Sequence, residues 1–307
     1  MERIELKEEL FALDYENHSN ADEIVRPSMS FWQDAWRRLK KNKMAMVSLV
    51  ILCLIMLACL IIPIVTGNAF QAQNTTLAHQ KPNMQSWFGR DELGRDNFLR
   101  IWAGGRVSIL IGLVGTAISL TFGVLYGGIS GYFGGIVDDI MMRIVEIIVG
   151  IPYMIVVILM SVVLGKGLVP LMIALCLTSW TGLARLVRGQ ILQLKESEYI
   201  IAAKTLGTSH WRIITKHLIP NTLSVIIVNT TFQIPGFIFA EAFLSFIGLG
   251  IQPPDTSWGA MAAVGQVNMS YYPHELLFPA LAISVTMLAF NLLGDGLRDA
   301  FDPKLRQ

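Results

Sequence analysis

Charged residues are scarce in this sequence. Asp, Glu, Lys and Arg make up 15% of the 307 residues, whereas a soluble domain usually carries about 25%. Apolar residues reach 53%, and the mean hydropathy is +0.53. This composition argues against a soluble domain and predicts a polytopic membrane protein. The formal net charge is +1, which implies no strongly acidic or basic partner, and no nucleic-acid signature is present.

Cysteine and histidine are too few and too scattered to predict a metal site. The five histidines are spread through loops and tails. No nucleophile lies in a pattern with a general base, so we expect no catalytic residue, no metal and no cofactor on this chain. The three cysteines lie inside apolar runs without the spacing of metal ligands and are predicted to be small buried side chains (Cys53, Cys59 and Cys176).

Nucleotide-binding and hydrolase motifs are missing as well. No GxxxxGK[ST] phosphate loop occurs, because the "GKG" of Gly165–Gly167 lacks the upstream glycine and the following Ser or Thr. The patterns HExxH, CxxC and GxSxG are also absent from the sequence. The chain is therefore predicted to be no enzyme and to bind no ATP through such a loop.

Apolar runs long enough to cross a bilayer dominate the rest of the chain. Residues 44–66 would form a helix roughly 34 Å long, enough for a hydrocarbon core of about 30 Å. The long polar segment 1–43 before this run excludes a cleavable signal peptide. The predicted fold class is all-α, with six transmembrane helices at about 44–66, 107–132, 144–165, 168–186, 222–248 and 277–295.

Basic residues orient these spans. Lys and Arg cluster before the first span, across 185–216 and after the last span, whereas 249–276 contains neither. The positive-inside rule places the three basic segments and both termini in the cytoplasm. The loop 67–106 is then external, although four arginines in it conflict mildly with the rule (Arg90, Arg95, Arg100 and Arg106).

The predicted organisation has five parts. They are a cytoplasmic segment 1–43, a first transmembrane helix 44–66, an external loop 67–106, a five-helix core 107–296 with a cytoplasmic loop at 196–220, and a cytoplasmic tail 297–307. Within the cytoplasmic segment, Phe31–Lys43 is expected to form a basic amphipathic helix on the inner membrane face, with Phe31, Trp32 and Trp36 as interfacial side chains.

The loop 196–220 is unusually structured for a connector. Its sequence predicts two short helices separated at Gly207, a residue typical of a helix end. Apolar residues are expected to share a face in each helix (Tyr199, Ala202, Ala203 and Leu206 in the first; Trp211, Ile214 and Leu218 in the second). The loop is either a solvated connector or a helix that docks in a groove of a cytoplasmic partner.

Few polar side chains lie within the predicted spans. Glu146 lies one turn from Arg143 and is expected to pair with it, and Glu241 could hold a bend after Pro235. Asn229, Gln233, Glu241 and Asn291 are candidates for lining a pore, with interhelical hydrogen bonding as the alternative.

Small residues recur every four positions in the second span. This stripe predicts close packing of helix backbones, with a moving helix seam as the alternative (Gly115, Ser119, Gly123, Gly127 and Gly131).

The loop 196–220 resembles the cytoplasmic "EAA" loop of ABC importer permeases. That pattern, EAA, three residues, G and a later apolar-apolar-Pro, corresponds here to "IAAKTLG" (Ile201–Gly207) and "LIP" (Leu218–Pro220). Ile201 replaces the family's glutamate, while the small residues and the glycine are present.

Further segments are similar to the C-type permease subunit of the oligopeptide, dipeptide and nickel importers. They are "WFGRDELGRDNFLRIWAGGRVS" (Trp87–Ser108, with Arg90 where Thr is usual), "ARLVRGQIL" (Ala184–Leu192), "GLGIQPPDTSWGAM" (Gly248–Met261) and "FNLLGDGLRDAFDPKL" (Phe290–Leu305). The resemblance covers nearly everything after residue 30.

The resemblance implies a type I ABC importer transmembrane domain in a bacterial cell membrane. The partners it implies are a second permease, two ATPase subunits that bind ATP-Mg, and an external peptide-binding lipoprotein, besides peptide substrate and membrane lipid. The implied ATPase-coupling residues are Tyr199, Ile201, Ala202, Ala203, Leu206, Gly207 and Trp211. Arg95, Asp96 and Trp258 are candidate contacts with the binding protein, and covering of the pore mouth is the alternative for Trp258 and for the loop 67–106.

The cargo is less determined than the class. Oligopeptides are preferred because no cluster of His, Cys or Met marks a metal route. Dipeptides, nickel and metal chelates remain alternatives within the family. An ion-coupled secondary transporter is disfavoured by the scarcity of charge within the spans and by the lack of repeated broken helices.

Overall fold

The structure is a computed structural model that describes residues 30–301. The predicted polar segment before residue 30 lies outside the described residues, and so do Lys304 and Arg306 of the basic tail.

The described chain folds into helices, most of which are joined by short connections. Two short 3-10 helices lie in the first long loop (Gly67–Gln71 and Thr75–Leu77), and a π-helical segment, Ile213–Leu218, joins the eighth helix to the ninth. The helices are α1 (Phe31–Lys41), α2 (Lys43–Thr66), α3 (Asn97–Phe133), α4 (Gly135–Gly150), α5 (Tyr153–Leu164), α6 (Leu168–Leu194), α7 (Glu198–Thr205), α8 (His210–Arg212), α9 (Ile219–Phe246), α10 (Trp258–Val267) and α11 (His274–Phe301).

Six membrane crossings fit this helix order. Five continuous helical segments are long and apolar enough to span a membrane, and α4 with α5 forms a sixth when the bent pair counts as one span. The predicted span 144–165 is not one continuous helix, because it falls on α4 and α5, which meet at an angle of 77°. The break lies at Ile151 and Pro152, where Ile151 adopts an extended backbone (φ −88°, ψ 119°). A proline disfavours helical geometry in the residue before it.

Some predicted boundaries also shift. The helix α3 begins at Asn97, ten residues before the predicted 107, so the loop outside the helices is 67–96. Asp96 explains this early start, because its side chain accepts hydrogen bonds from the backbone N–H groups of Phe98 and Leu99. The short helix α10 was not predicted, since ten residues are too few for a span.

Helix contacts define the two ends of the bundle. Gly123 and Gly131 of α3 face Leu183 and Ile191 of α6 in the same order, so these helices run parallel. Both described chain ends meet where the Phe31 and Phe301 rings stack at 5.5 Å. This end also carries the C-terminus of α3 and the loop 196–220, and we call it the terminal end. The opposite end carries 67–96 and α10 and is called the loop end.

The small-residue stripe of α3 is a packing seam. Gly123, Gly127 and Gly131 lie against the backbone or Cβ atoms of α6, and a side chain at Gly127 would clash with the Ala184 carbonyl oxygen. Ser119 Oγ donates to the Ser179 carbonyl oxygen at 3.2 Å. The packing interpretation of this stripe is therefore confirmed, except that Gly115 faces Phe237 of α9.

The cysteines differ in burial. Cys59 is buried, as predicted, and Cys176 is partly buried, but Cys53 is exposed on α2. The difference follows from the position of α2, which packs on α3 and α11 and leaves much of its apolar surface uncovered.

Candidate functional site

The loop 196–220 ends its first helix by a defined turn. Gly207 has a φ of +77°, a conformation that glycine adopts without strain. Its N–H donates to the Lys204 carbonyl oxygen, and the Thr208 N–H donates to the Ala203 carbonyl oxygen, both at 3.0 Å. These two bonds form a Schellman motif. The predicted helix end at Gly207 is confirmed, and α8 begins after this turn at His210.

One side of the loop is packed into the bundle. Ile200, Ile213, Ile214 and Leu218 are fully or almost fully buried. They belong to one apolar cluster with α6 side chains, among them Ile191. Burial of such aliphatic side chains contributes about 1.5–3 kcal/mol each. The loop is therefore a rigid extension of the bundle rather than a solvated connector.

The other side of the loop exposes apolar side chains. Leu206 is 85% exposed, Trp211 57%, Ile201 50% and Tyr199 44%. Ala202 and Gly207 are exposed between them, and Ala203 is half-buried. We call these seven residues the coupling surface. Clustered apolar exposure of this kind marks interaction sites.

Helical spacing predicted that Trp211 shares a face with Ile214 and Leu218. This prediction is wrong. Trp211 is exposed, whereas Ile214 and Leu218 are buried. The π-helical segment Ile213–Leu218 accounts for this difference. Its hydrogen bonds close from i to i+5 instead of i+4, so the turn is wider and side-chain register shifts relative to an α-helix.

Tyr132 joins the loop 196–220 to α3. Its Oη lies 2.7 Å from His210 Nδ1 in a hydrogen bond. The Lys204 ammonium lies 5.3 Å from the centre of the same ring, within the range of a cation–π interaction. One side chain of α3 thus contacts both α7 and α8. Sequence analysis missed this role, since nothing in the local pattern around Tyr132 signals a contact 78 residues away.

A partly buried ion pair braces the bundle beside the loop. Arg188 of α6 donates to both carboxylate oxygens of Asp138 on α4, each at 2.5 Å. Ser130 of α3 donates to the same carboxylate. A bidentate Arg–carboxylate pair fixes direction as well as distance. The helices α3, α4 and α6 are therefore held in one geometry near the point where the loop 196–220 leaves the bundle.

The candidate pore residues lie in different environments. Asn229 lines a groove of about 440 Å³ between α9 and α11, with Arg298 at one edge. Asn291 is exposed on α11, and Gln233 is half-buried. Among the described residues, the Gln233 Oε1 atom is buried without a hydrogen-bond partner. These three stay candidates for a polar pathway.

Glu241 does not line any open surface in this structure. It is 0% exposed, and it accepts hydrogen bonds from Ser108 of α3 at 2.7 Å and from Ser245 at 2.8 Å. Its carboxylate therefore joins α9 to α3 inside the bundle, and the expectation of a pore-lining Glu241 is corrected. The predicted pairing of Glu146 with Arg143 is confirmed at 3.0 Å.

Two of the three candidate contacts for a binding protein are buried. Trp258 is 0% exposed, and its indole N–H donates to the Ile101 carbonyl oxygen at 2.9 Å. Its ring packs against Gly105, which has no side chain to obstruct it. Arg95 is buried in an ion pair with Asp91 at 2.7 Å. Neither side chain can reach another protein from these positions, and the expectation is corrected for both.

Asp96 is half-buried and also has structural partners. It caps α3, and its Oδ2 accepts a hydrogen bond from Ser86 Oγ at 3.2 Å. The exposed apolar side chains at the loop end are different ones and include Met84, Trp87 and Tyr271. Sequence analysis missed these three, because their exposure depends on how 67–96 folds over α10 and α11.

The chain matches two family models. The model for the binding-protein-dependent transport system inner membrane component matches residues 119–307, and that for the N-terminal TM domain of oligopeptide transport permease C matches 30–82. A solved structure of the MetNI methionine ABC transporter, in inward-facing conformations, is similar with a TM-score of 0.53 at 19% identity. The matched region comprises 67% of this chain and 97% of the MetNI chain. This likeness supports the fold of a type I ABC importer permease.

Sequence relatives cover almost the whole chain. The dipeptide transport system permease protein DppC of Bacillus subtilis is 50% identical over 304 residues, 99% of this chain and 95% of the relative. The oligopeptide transport system permease protein OppC of the same organism is 47% identical, with 95% of each chain covered. OppC of Escherichia coli K12 is 42% identical over 95% of this chain and 96% of its own. The chain therefore belongs to the family of binding-protein-dependent transport system inner membrane components.

Proposed function

We propose that this chain is one permease subunit of an ATP-driven ABC importer of oligopeptides. It forms the membrane pathway together with a second, homologous permease. The relatives described above are named as permeases for dipeptides and oligopeptides, and a further relative of 39% identity is named for glutathione. All of these named cargoes are peptides, which supports a peptide cargo over metal chelates for this chain.

The coupling surface carries the proposal. It faces away from the bundle, while the opposite side of the same loop is packed in the core. A cleft on an ATPase subunit would cover the exposed side chains of Leu206, Trp211 and Ile201. In this arrangement two partner subunits bind ATP-Mg, and this chain supplies the surface through which they act. The terminal end then faces the cytoplasm.

The packing of the loop determines what such a partner can move. Buried Ile200 and Ile213 tie the loop to α6, and Tyr132 ties it to α3. Displacement of the coupling surface therefore displaces α3 and α6, which meet along the glycine seam. ATP binding shifts the bundle between inward- and outward-open states only if the docked surface has different free energies in the two states. A rigid loop transmits that difference, whereas a flexible connector would absorb it.

The opposite end of the bundle would receive the cargo. We propose that an external binding lipoprotein docks on the exposed side chains of the loop end, Met84, Trp87 and Tyr271, instead of on Trp258 and Arg95. The groove beside Asn229 and the exposed Asn291 then belong to the pathway shared with the second permease.

A photoreactive side chain tests the docking. A benzoyl-phenylalanine replacing Leu206 (85% exposed) should cross-link this chain to an ATPase subunit of the assembled transporter. The matched control is the same replacement at Tyr271 (81% exposed), at the other end of the bundle. Absence of an ATPase cross-link from position 206 in an intact complex would overturn the proposal, as would an equal ATPase cross-link from position 271.

Tyr132 provides a second prediction. Tyr132→Phe removes the hydrogen bond to His210 but keeps the ring below Lys204. Loss of a hydrogen bond worth about 1 kcal/mol should lower ATP-driven peptide uptake roughly fivefold, because the angle between α7 and α8 is less well held. Uptake and peptide-stimulated ATP hydrolysis are measured together in proteoliposomes. Unchanged uptake in Tyr132→Phe would show that this contact does not position the loop.

A further inference from the structure

The helix α1 carries an exposed charged face. Arg38 is neutralised by Asp34, whose carboxylate lies 3.0 Å from the Arg38 Nε. Four more cations are exposed at the end of α1 and the start of α2, and within residues 30–301 none of them forms an ion pair (Arg37, Lys40, Lys41 and Lys43).

The connection to α2 places this face at a membrane surface. Only Asn42 separates the end of α1 from the start of α2. The apolar side chains of α2 are exposed from its first turns, beginning with Met44 and Val47. The hydrocarbon region therefore begins directly after α1, and a charged helix at this point must lie in the headgroup layer.

Packing against α11 fixes which side of α1 remains open. Ala35 and Leu39 are buried, and Leu39 clusters with Ala300 near the end of α11. The Phe31 ring stacks on Phe301 at 5.5 Å. The docked side is therefore apolar and fixed, and the remaining sides of the helix face outward.

Aromatic and basic side chains follow one another around the open side. Trp32 is 56% exposed and Trp36 46%. One turn further on, the Lys40 ammonium lies 5.3 Å from the centre of the Trp36 ring. At about 100° per residue, Arg37 and Lys41 lie about 100° further around the helix than Trp36 and Lys40. Tryptophan favours the bilayer interface, and Lys or Arg beside it reaches the level of the phosphates.

We propose that the open face of α1 binds anionic phospholipid headgroups. Zwitterionic lipid would accommodate Trp32 and Trp36 but would leave the four cations without counter-charge. The acidic segment 1–29 of the chain is another source of negative charge, and it is the competing occupant that the test must distinguish. Anionic lipid satisfies both features at once.

Hydrogen exchange of the full-length chain tests this proposal. Amide exchange of 31–41 is compared in nanodiscs of phosphatidylcholine alone and in discs with about one third phosphatidylglycerol. We expect exchange to be at least about fivefold slower in the anionic discs. The difference should vanish at about 1 M salt, where the Debye length is about 3 Å.

Matched variants separate charge from fold. Lys40→Gln/Lys41→Gln should remove the protection by phosphatidylglycerol, and Lys40→Arg/Lys41→Arg should retain it. Both positions are exposed, so neither pair disturbs the packing on α11. Equal exchange in the two disc types, or retained protection in the Gln variant, overturns the proposal.

Deletion of residues 1–25 tests whether the acidic segment, and not lipid, covers the open face of α1. We expect the truncated chain to show the same protection by phosphatidylglycerol. If deletion instead accelerates exchange of 31–41 in phosphatidylcholine discs and no lipid effect is seen, the acidic segment covers α1 and the lipid proposal is wrong.

Discussion

Gly207→Val should lower ATP-driven peptide uptake by roughly fivefold to hundredfold while leaving the protein inserted and folded. The φ of +77° at this position is strained for any residue with a Cβ, and most for a β-branched one. No atom lies within 4 Å of a Cβ built there, so the effect is one of backbone conformation and not of crowding. Strain of about 1–3 kcal/mol corresponds to a roughly fivefold to hundredfold loss of the docked geometry.

A conservative substitution provides the control. Asparagine tolerates the left-handed region better than other residues with a side chain, so Gly207→Asn should retain most uptake. Both variants should be recovered from membranes in normal amounts, because Gly207 is exposed and outside the apolar cluster. Wild-type uptake by Gly207→Val would show that the turn between α7 and α8 plays no part in coupling.

Gly127→Val should prevent the bundle from assembling. A Cβ at this position would overlap with the Ala184 carbonyl oxygen and lie 3.0 Å from the Arg188 N and the Val187 Cβ. These are atoms of the α6 backbone or close to it, which cannot rotate away. The seam would have to open, at a cost above the about 1–3 kcal/mol typical of overpacking. The amount of monodisperse protein after detergent extraction and its thermal unfolding midpoint measure the effect.

The neighbouring helix supplies the comparison for this variant. Gly182 of α6 is exposed, and no atom lies within 4 Å of a Cβ built on it. Gly182→Val should therefore be recovered at wild-type levels with an unchanged midpoint. Recovery of Gly127→Val with the stability of the wild type would mean that α3 and α6 do not pack through this seam.

The class of the protein and the outline of its helices could be predicted because they depend on local sequence. Apolar runs long enough for a bilayer located the spans, although Pro152 bends the third one by 77°. The glycine at 207 ended a helix where predicted, because only a few neighbouring residues decide a helix cap. The "EAA"-like segment and the later motifs indicated the family that the comparisons confirm.

The environments of the candidate site residues followed less well from sequence. Helical spacing placed Trp211 with Ile214, but the π-helical turn separates them. Tyr132 was not singled out at all, although it contacts both Lys204 and His210. Its partners lie far away in the chain, and no local pattern reports such contacts.

Sequence by itself determined that this chain is a helical membrane protein with a structured loop near residue 207, and it predicted six spans where the structure has five continuous candidates and one bent pair. Tertiary structure alone decided which polar groups are open and which are enclosed. Glu241 and Trp258 are equally conspicuous in the sequence, yet both are enclosed by partners 133 and 157 residues away, Ser108 and Ile101. The physical reason is that helix formation depends on neighbouring residues, whereas burial depends on which helices pack together.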